Sequence, residues 1–215
     1  MSRISNWFDS WLSFLKWPVG IVFVLWLPNV ALALVRVVTT IIFDMSPMLP
    51  FLGGAIFWGI LWWAFLRRTR YTFFLTLEHE LTHAIFAWLT FHKVTDLRVT
   101  LTRGGQISHQ GVGNWLIALA PYFWPTLSLV LMLIVWLLPA PTHAVGEALI
   151  GMSFAWHVTS TIRETHPKQT DIAKAGKLFS LMFLPAANML TIGSLLAFAH
   201  GGAERMSGFL LDALL

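Results

Sequence analysis

The sequence predicts an all-α polytopic membrane protein with about six transmembrane helices, an N-terminal interfacial helix and a short β-hairpin after the third span. Three observations carry this. The 215 residues are 57% hydrophobic and only 11% charged, against about 25% charge in a soluble domain. The apolar residues fall in successive runs of about 20, the length that crosses a bilayer as a helix. One stretch alone, residues 94–109, alternates apolar and polar side chains with the period of a strand. The short links between runs predict one integral membrane domain over 1–215.

The elements follow in order. Over 4–15, Ile4, Trp7, Phe8, Trp11, Leu12 and Leu15 share one helical stripe, while Ser5, Asn6, Asp9, Ser10 and Ser13 share the other. That pattern predicts a helix over 1–16 lying flat on the membrane surface, polar side to water. Spans are predicted at 17–43, 48–66, 71–91, 113–138, 144–162 and 177–199. Pro28 and Arg36 predict a kink or tilt in the first. Ala31-Leu32-Ala33 looks like a signal-peptide cleavage site, but the apolar run continues to Phe43, past the short core of a signal. Between the third and fourth spans, Leu97, Val99 and Leu101 alternate with Asp96, Arg98, Thr100 and Thr102, and Arg103-Gly104-Gly105-Gln106 predicts a tight hairpin turn. Such a hairpin is either a bare surface feature or an edge strand that pairs with an extended substrate.

The formal charge of +4 does not indicate nucleic acid. The basic residues sit at segment ends, as at Arg67, Arg68 and Arg70, where they meet lipid headgroups. They divide almost evenly between the two sides of a six-span bundle, so the positive-inside rule selects no orientation. Trp17, Trp62, Trp63, Trp88, Trp115 and Trp136 lie near the ends of apolar runs, the positions of an aromatic belt or of packed core. The chain has no cysteine, which excludes thiolate ligands, disulfides and thiol catalysis.

His79-Glu80-Leu81-Thr82-His83 is the chemical centre of the sequence. On a helix, residues four apart project from one face, so both imidazoles reach one zinc ion at about 2.0–2.1 Å. Glu80 stands beside the first ligand, placed to take a proton from a metal-activated water. Chance produces this pattern in about 0.007 chains of this composition. It lies inside Tyr71–Phe91, an apolar stretch with no basic residue, and ionisable groups inside a membrane mark functional sites.

Catalytic zinc needs three protein ligands and an open position. Asp171, in Thr170-Asp171-Ile172-Ala173-Lys174-Ala175-Gly176 just before the last span, is the expected third; His157, Glu164, His166, His109 and Glu147 compete for the place. Thr170 or Asp171 would also serve as a helix cap. Two classes of function stand: a membrane-embedded zinc endopeptidase, and a non-enzymatic zinc scaffold or transporter that uses His and Glu as a proton relay. Serine intramembrane proteolysis is disfavoured, because Gly151-Met152-Ser153-Phe154 lacks the following glycine. No Gly-x-Gly-Asp occurs for the aspartyl class, and one histidine pair is too few for a di-iron oxygenase.

These features resemble the site-2 protease family of intramembrane zinc metalloproteases, in its compact bacterial branch. The resemblance rests on His79–His83 in a membrane helix, the Gly104-Gly105 hairpin after it and a downstream aspartate. It covers about 71–199, with the two spans of 17–66 as additions to a three-helix core. It implies His79, His83 and Asp171 as zinc ligands and Glu80 as general base. The substrate implied is a membrane-spanning protein, such as a tethered regulator or signal-peptide remnant, in the bacterial cytoplasmic membrane. The family's usual Asp-Gly after an Asn/Pro-rich stretch is replaced here by Thr-Asp-Ile-Ala-Lys-Ala-Gly.

Overall fold

Local sequence sets a helical chain. The computed structural model describes residues 2–66, 73–100, 104–139, 142–164 and 169–215. Its helices are α1 (Ser2–Phe43), α2 (Leu49–Ala64), α3 (Phe73–Leu89), α4 (Trp115–Leu119), α5 (Thr126–Leu137), α6 (His143–Glu164), α7 (Thr170–Ala175) and α8 (Lys177–Leu214). Two strands, β1 (Val94–Thr100) and β2 (Gly104–His109), pair antiparallel. Single 3-10 turns precede α2 and follow α4.

Three of these helices are long and apolar enough to cross a membrane: α1, α2 with its preceding turn, and α8. The run expected as the 113–138 span is broken into α4 and α5 around Phe123–Pro125, the form of a broken span or a re-entrant loop; counted as one, it makes a fourth. Proline at 125 explains the break, since it has no amide to continue a helix. The run expected to begin at 71 starts outside the described residues. In α6, Ser153, His157, Thr159, Ser160 and Thr161 lower the apolar content along the helix.

The first helix departs from its expected layout. α1 runs unbroken through residue 16 and through Pro18 and Pro28, where a surface helix was expected to end and a span to begin. Its polar stripe is divided: Ser5 is 3% exposed and Asp9 is half-buried, while Asn6, Ser10 and Ser13 are exposed, as is Trp7 on the apolar stripe at 56%. Periodicity identifies which residues share a face, but not which medium that face meets.

The chain forms two compact units, neither contiguous in sequence. One contains 1–24, 68–124 and 160–184. In it the hairpin packs on α3, and α4 packs on both α3 and α7. An aromatic cluster supports them: Trp115 lies 4.9 Å from Phe179 and 5.2 Å from Phe183, ring centre to ring centre. Phe23 and Phe123 close on Phe183 at 4.5 and 5.3 Å, spacings at which aromatic pairs attract beyond simple burial. Trp115 is therefore core, not belt. Helix α3 ends where Phe91 takes the left-handed conformation, φ 61°. The amides of Phe91 and His92 then donate to Trp88 and Ala87, a Schellman stop normally made by glycine.

The other unit contains 25–67, 125–159 and 185–215. Its core joins Ile41, Met48, Phe51, Val135, Ile150 and Leu195. Small residues bring α2 and α6 backbone to backbone: a Cβ on Gly54 would strike the Ala148 carbonyl, and one on Gly151 the Phe51 carbonyl. Polar groups link the same region, with Trp58 Nε1 donating to Thr159 Oγ1 at 2.9 Å and the buried Ser128 and Ser153 hydroxyls 2.9 Å apart. Close small-residue contacts with a few hydrogen bonds are how apolar helices associate without water to drive them. About two thirds of the way along, α8 loses helical geometry at Gly201 and Gly202, the latter at φ 68°, close to the boundary expected at 199.

The hairpin has a different register from the expected one. Gly104 and Gly105 are strand residues paired with Thr100 and Val99, and residues 101–103 lie outside the described residues.

Candidate metal centre

The centre is built in the first unit from α3, α7 and the start of α4. Helical spacing puts His79 and His83 on one face of α3, with Nε2 atoms 3.2 Å apart. Asp171 comes from the first turn of α7. Its Oδ2 lies 3.7 Å from His79 Nε2 and 3.5 Å from His83 Nε2. Tetrahedral ligands on a zinc ion, at about 2.0–2.1 Å each, sit about 3.3–3.4 Å from one another. The three observed separations bracket that figure, and the donors are two imidazoles and a carboxylate, so the residues fit a zinc ion. Among the described residues, no other group of three or more His, Asp and Glu side chains converges in this way.

Contacts around the three donors set their orientation. His83 Nδ1 lies 2.7 Å from the Ile117 carbonyl. A carbonyl only accepts, so Nδ1 carries the proton and the Nε2 lone pair is left for a metal. His79 meets the Tyr122 ring edge-on at 5.5 Å. Asp171 does not cap its helix: Gln169 occupies that position without a side-chain bond, and the Asp171 carboxylate turns to the histidines. Burial raises the cost of its charge, but hydrogen bonds and charge from His79 and His83 outweigh this and hold its carboxyl below the usual carboxylate range. Lys174 Nζ stands 3.7 Å from Asp171 Oδ1 on the exposed side.

Glu80 is buried and lines the same cleft, about 990 Å³ in volume, with Thr76, His79, His83, Asp171 and the inner edge of β2. The close glycine is Gly105. A Cβ there would lie 2.5 Å from Glu80 Cγ and 2.7 Å from Thr76 Cγ2. Glycine in a strand interior often marks a close approach, here that of the Glu80 and Thr76 side chains.

The competing ligand candidates fall elsewhere. His157 is buried in α6 outside the cluster. His109 lines the cleft but is not among the converging donors; burial pushes its imidazole below the ordinary value, opposed by the Gln110 carbonyl. Glu147 lines a different cavity in the second unit, near His143 and His200. His166 lies outside the described residues, as does the side chain of Glu164. Glu78, beside the motif, is buried.

Sequence reasoning missed Asp9. Asn114 caps α4, its Oδ1 accepting from the Ile117 amide at 3.1 Å; a polar residue immediately before an apolar run was the available signal. Asp9 had none, being one acid on an amphipathic stripe.

The chain belongs to the Peptidase M50B-like family, whose model matches residues 51–191, well over half its length. This places it in the site-2 protease family. The match begins inside α2, one of the two helices expected to be additions to the core. No curated protein matches the chain, and no solved structure does.

Proposed function

We propose that this chain is an intramembrane zinc endopeptidase that hydrolyses a peptide bond in or near the transmembrane segment of a membrane protein. His79, His83 and Asp171 are the zinc ligands in this reading, and Glu80 is the general base. The observation that carries it is the convergence of those three donors within 4.8 Å in a cleft that Glu80 also lines, in a chain of a peptidase family.

Zinc supplies Lewis acidity to a water and to the scissile carbonyl. The protein does the rest. Glu80 accepts the proton as the water attacks and returns it to the leaving amine. His83, fixed by Ile117, presents one nitrogen in one orientation. Gly105 lets β2 close over Glu80, which holds that carboxylate without a bulky neighbour. The edge of β2 along the cleft suits an extended peptide by main-chain pairing. A transmembrane helix satisfies its own backbone, so it must unwind before it can pair in this way. Helix-breaking residues in a substrate therefore favour cutting.

We read the chain as multi-pass, with α3, the α4–α5 pair and α6 crossing alongside α1, α2 and α8, in a bacterial cytoplasmic membrane. The test is proteolysis of a reconstituted membrane substrate by wild type and Glu80→Gln. Loss of cutting with metal retained supports the endopeptidase. Unchanged cutting overturns it. No cutting by either protein, with ion flux sensitive to Glu80, supports a proton-relay transporter instead.

A further inference from the structure

Asp9 stands in α1, more than sixty residues before the motif, yet it is bonded into the support of His83. Its Oδ1 accepts from Asn114 Nδ2 at 2.8 Å. Its Oδ2 accepts from the Gly113 amide at 3.2 Å and from His92 Nε2 at 3.1 Å. The carboxylate is 12% exposed and His92 is fully buried. Asn114 in turn caps α4 at the Ile117 amide, and the carbonyl of that same residue accepts from His83 Nδ1. A second bond, Trp115 Nε1 to the Leu12 carbonyl at 2.7 Å, ties the same turn of α4 to α1 three residues beyond Asp9.

From this chain of contacts we infer that Asp9 is a positioning residue for the metal centre. It fixes Asn114, Asn114 fixes the first turn of α4, and that turn holds the Ile117 carbonyl that sets the tautomer and ring angle of His83. The inference rests on the reading of His83 as a metal ligand. Three donors on two carboxylate oxygens make a rigid junction, because bonds to a charged acceptor are stronger than neutral ones and costly to leave broken when buried. Gly113, at φ 80°, is the residue that lets the chain turn its amide toward Asp9. Outer partners of metal-binding histidines typically contribute 10–100-fold in metal affinity.

The test measures zinc affinity by chelator competition and the visible spectrum of the cobalt-substituted full chain. Asp9→Ala is expected to weaken zinc about 10-fold and to shift the cobalt bands, with helix content unchanged. Asn114→Asp keeps an oxygen to cap Ile117 but sets a carboxylate against Asp9, so it is expected to weaken zinc similarly. The double variant is expected to lose no more than either alone, the sign of a shared path. Asp96→Ala, which removes an exposed acid paired with Arg98, is the control and is expected to bind as wild type. If Asp9→Ala fails to fold, Asn114→Asp carries the test. Wild-type affinity and spectrum in a folded Asp9→Ala or Asn114→Asp, or additive losses in the pair, overturn the inference and leave the metal centre standing. A wild-type chain that binds neither ion overturns the metal reading itself.

Discussion

Gly105 of β2 lies so close to Glu80 of α3 that an added Cβ would stand 2.5 Å from the glutamate's Cγ and 3.0 Å from its Oε1. The contact joins the hairpin to the residue proposed as general base. Because Cγ is near the stem of the side chain, Glu80 has no easy swing out of the way. Gly105→Ala is expected to lower cleavage at least about 10-fold, and Gly105→Val further, with zinc content unchanged. Strain of about 1–3 kcal/mol, the usual cost of overpacking, is large enough to displace the carboxylate. Parallel assays of metal content and cleavage check this, and a Gly105→Val chain with wild-type cutting contradicts it.

Asp171 is expected to dominate over every competing third ligand. Asp171→Ala should weaken zinc by at least about 100-fold, since a lost ligand costs more than a lost outer partner. His157→Ala and His109→Ala should retain about one zinc per chain. Chelator competition on the purified variants decides it, and unchanged affinity in Asp171→Ala reassigns the ligand.

The pH dependence of metal binding follows from which ligands hold protons. Asp171 has a lowered value, so it remains charged above the usual carboxylate range of about 3.9 and loses its contribution only as pH falls through its lower folded value. A zinc ion takes an imidazole nitrogen only once that nitrogen has lost its proton, so apparent zinc affinity should fall as pH is lowered, toward about two decades per pH unit, one per imidazole. Chelator competition across pH checks this, and an affinity that does not change with pH contradicts two histidine ligands.

Packing in the second unit depends on glycine at the helix contact. Gly54→Val or Gly151→Val would drive a side chain into a backbone carbonyl of the facing helix, which cannot swing aside. Each should destabilise the protein by about 3 kcal/mol, seen as a lower thermal midpoint in detergent. Gly53→Val is the control, because a Cβ there meets nothing within 4 Å.

Much of this chain was legible from local pattern. Apolar runs located α2 and α6 within a few residues, and two-residue alternation located β1. His79 and His83 were readable as a pair because helical periodicity alone sets their common face. What local pattern could not supply was the medium or partner of each face. The polar stripe of α1 was expected in water, and it is folded against protein at Ser5 and Asp9. Gly104-Gly105 signalled a turn, but the approach of Glu80 is a tertiary fact that sequence does not encode locally. The same holds for Asp171. Its nearness to the histidines is made by α4 and α7 packing, and its sequence context suited a helix cap equally well. The count of about six spans rested on run lengths alone. Proline at 125 breaks one run, while among the described residues three helices meet the length and apolarity of a span on their own.

The most direct measurement is the zinc content of the purified full chain beside His83→Ala and Glu80→Gln, read by atomic emission together with cleavage of one membrane substrate. The account predicts about one zinc per chain with cutting in wild type, zinc without cutting in Glu80→Gln, and neither in His83→Ala. Cutting that persists in Glu80→Gln, or a wild-type chain that cuts while holding no metal, would contradict it.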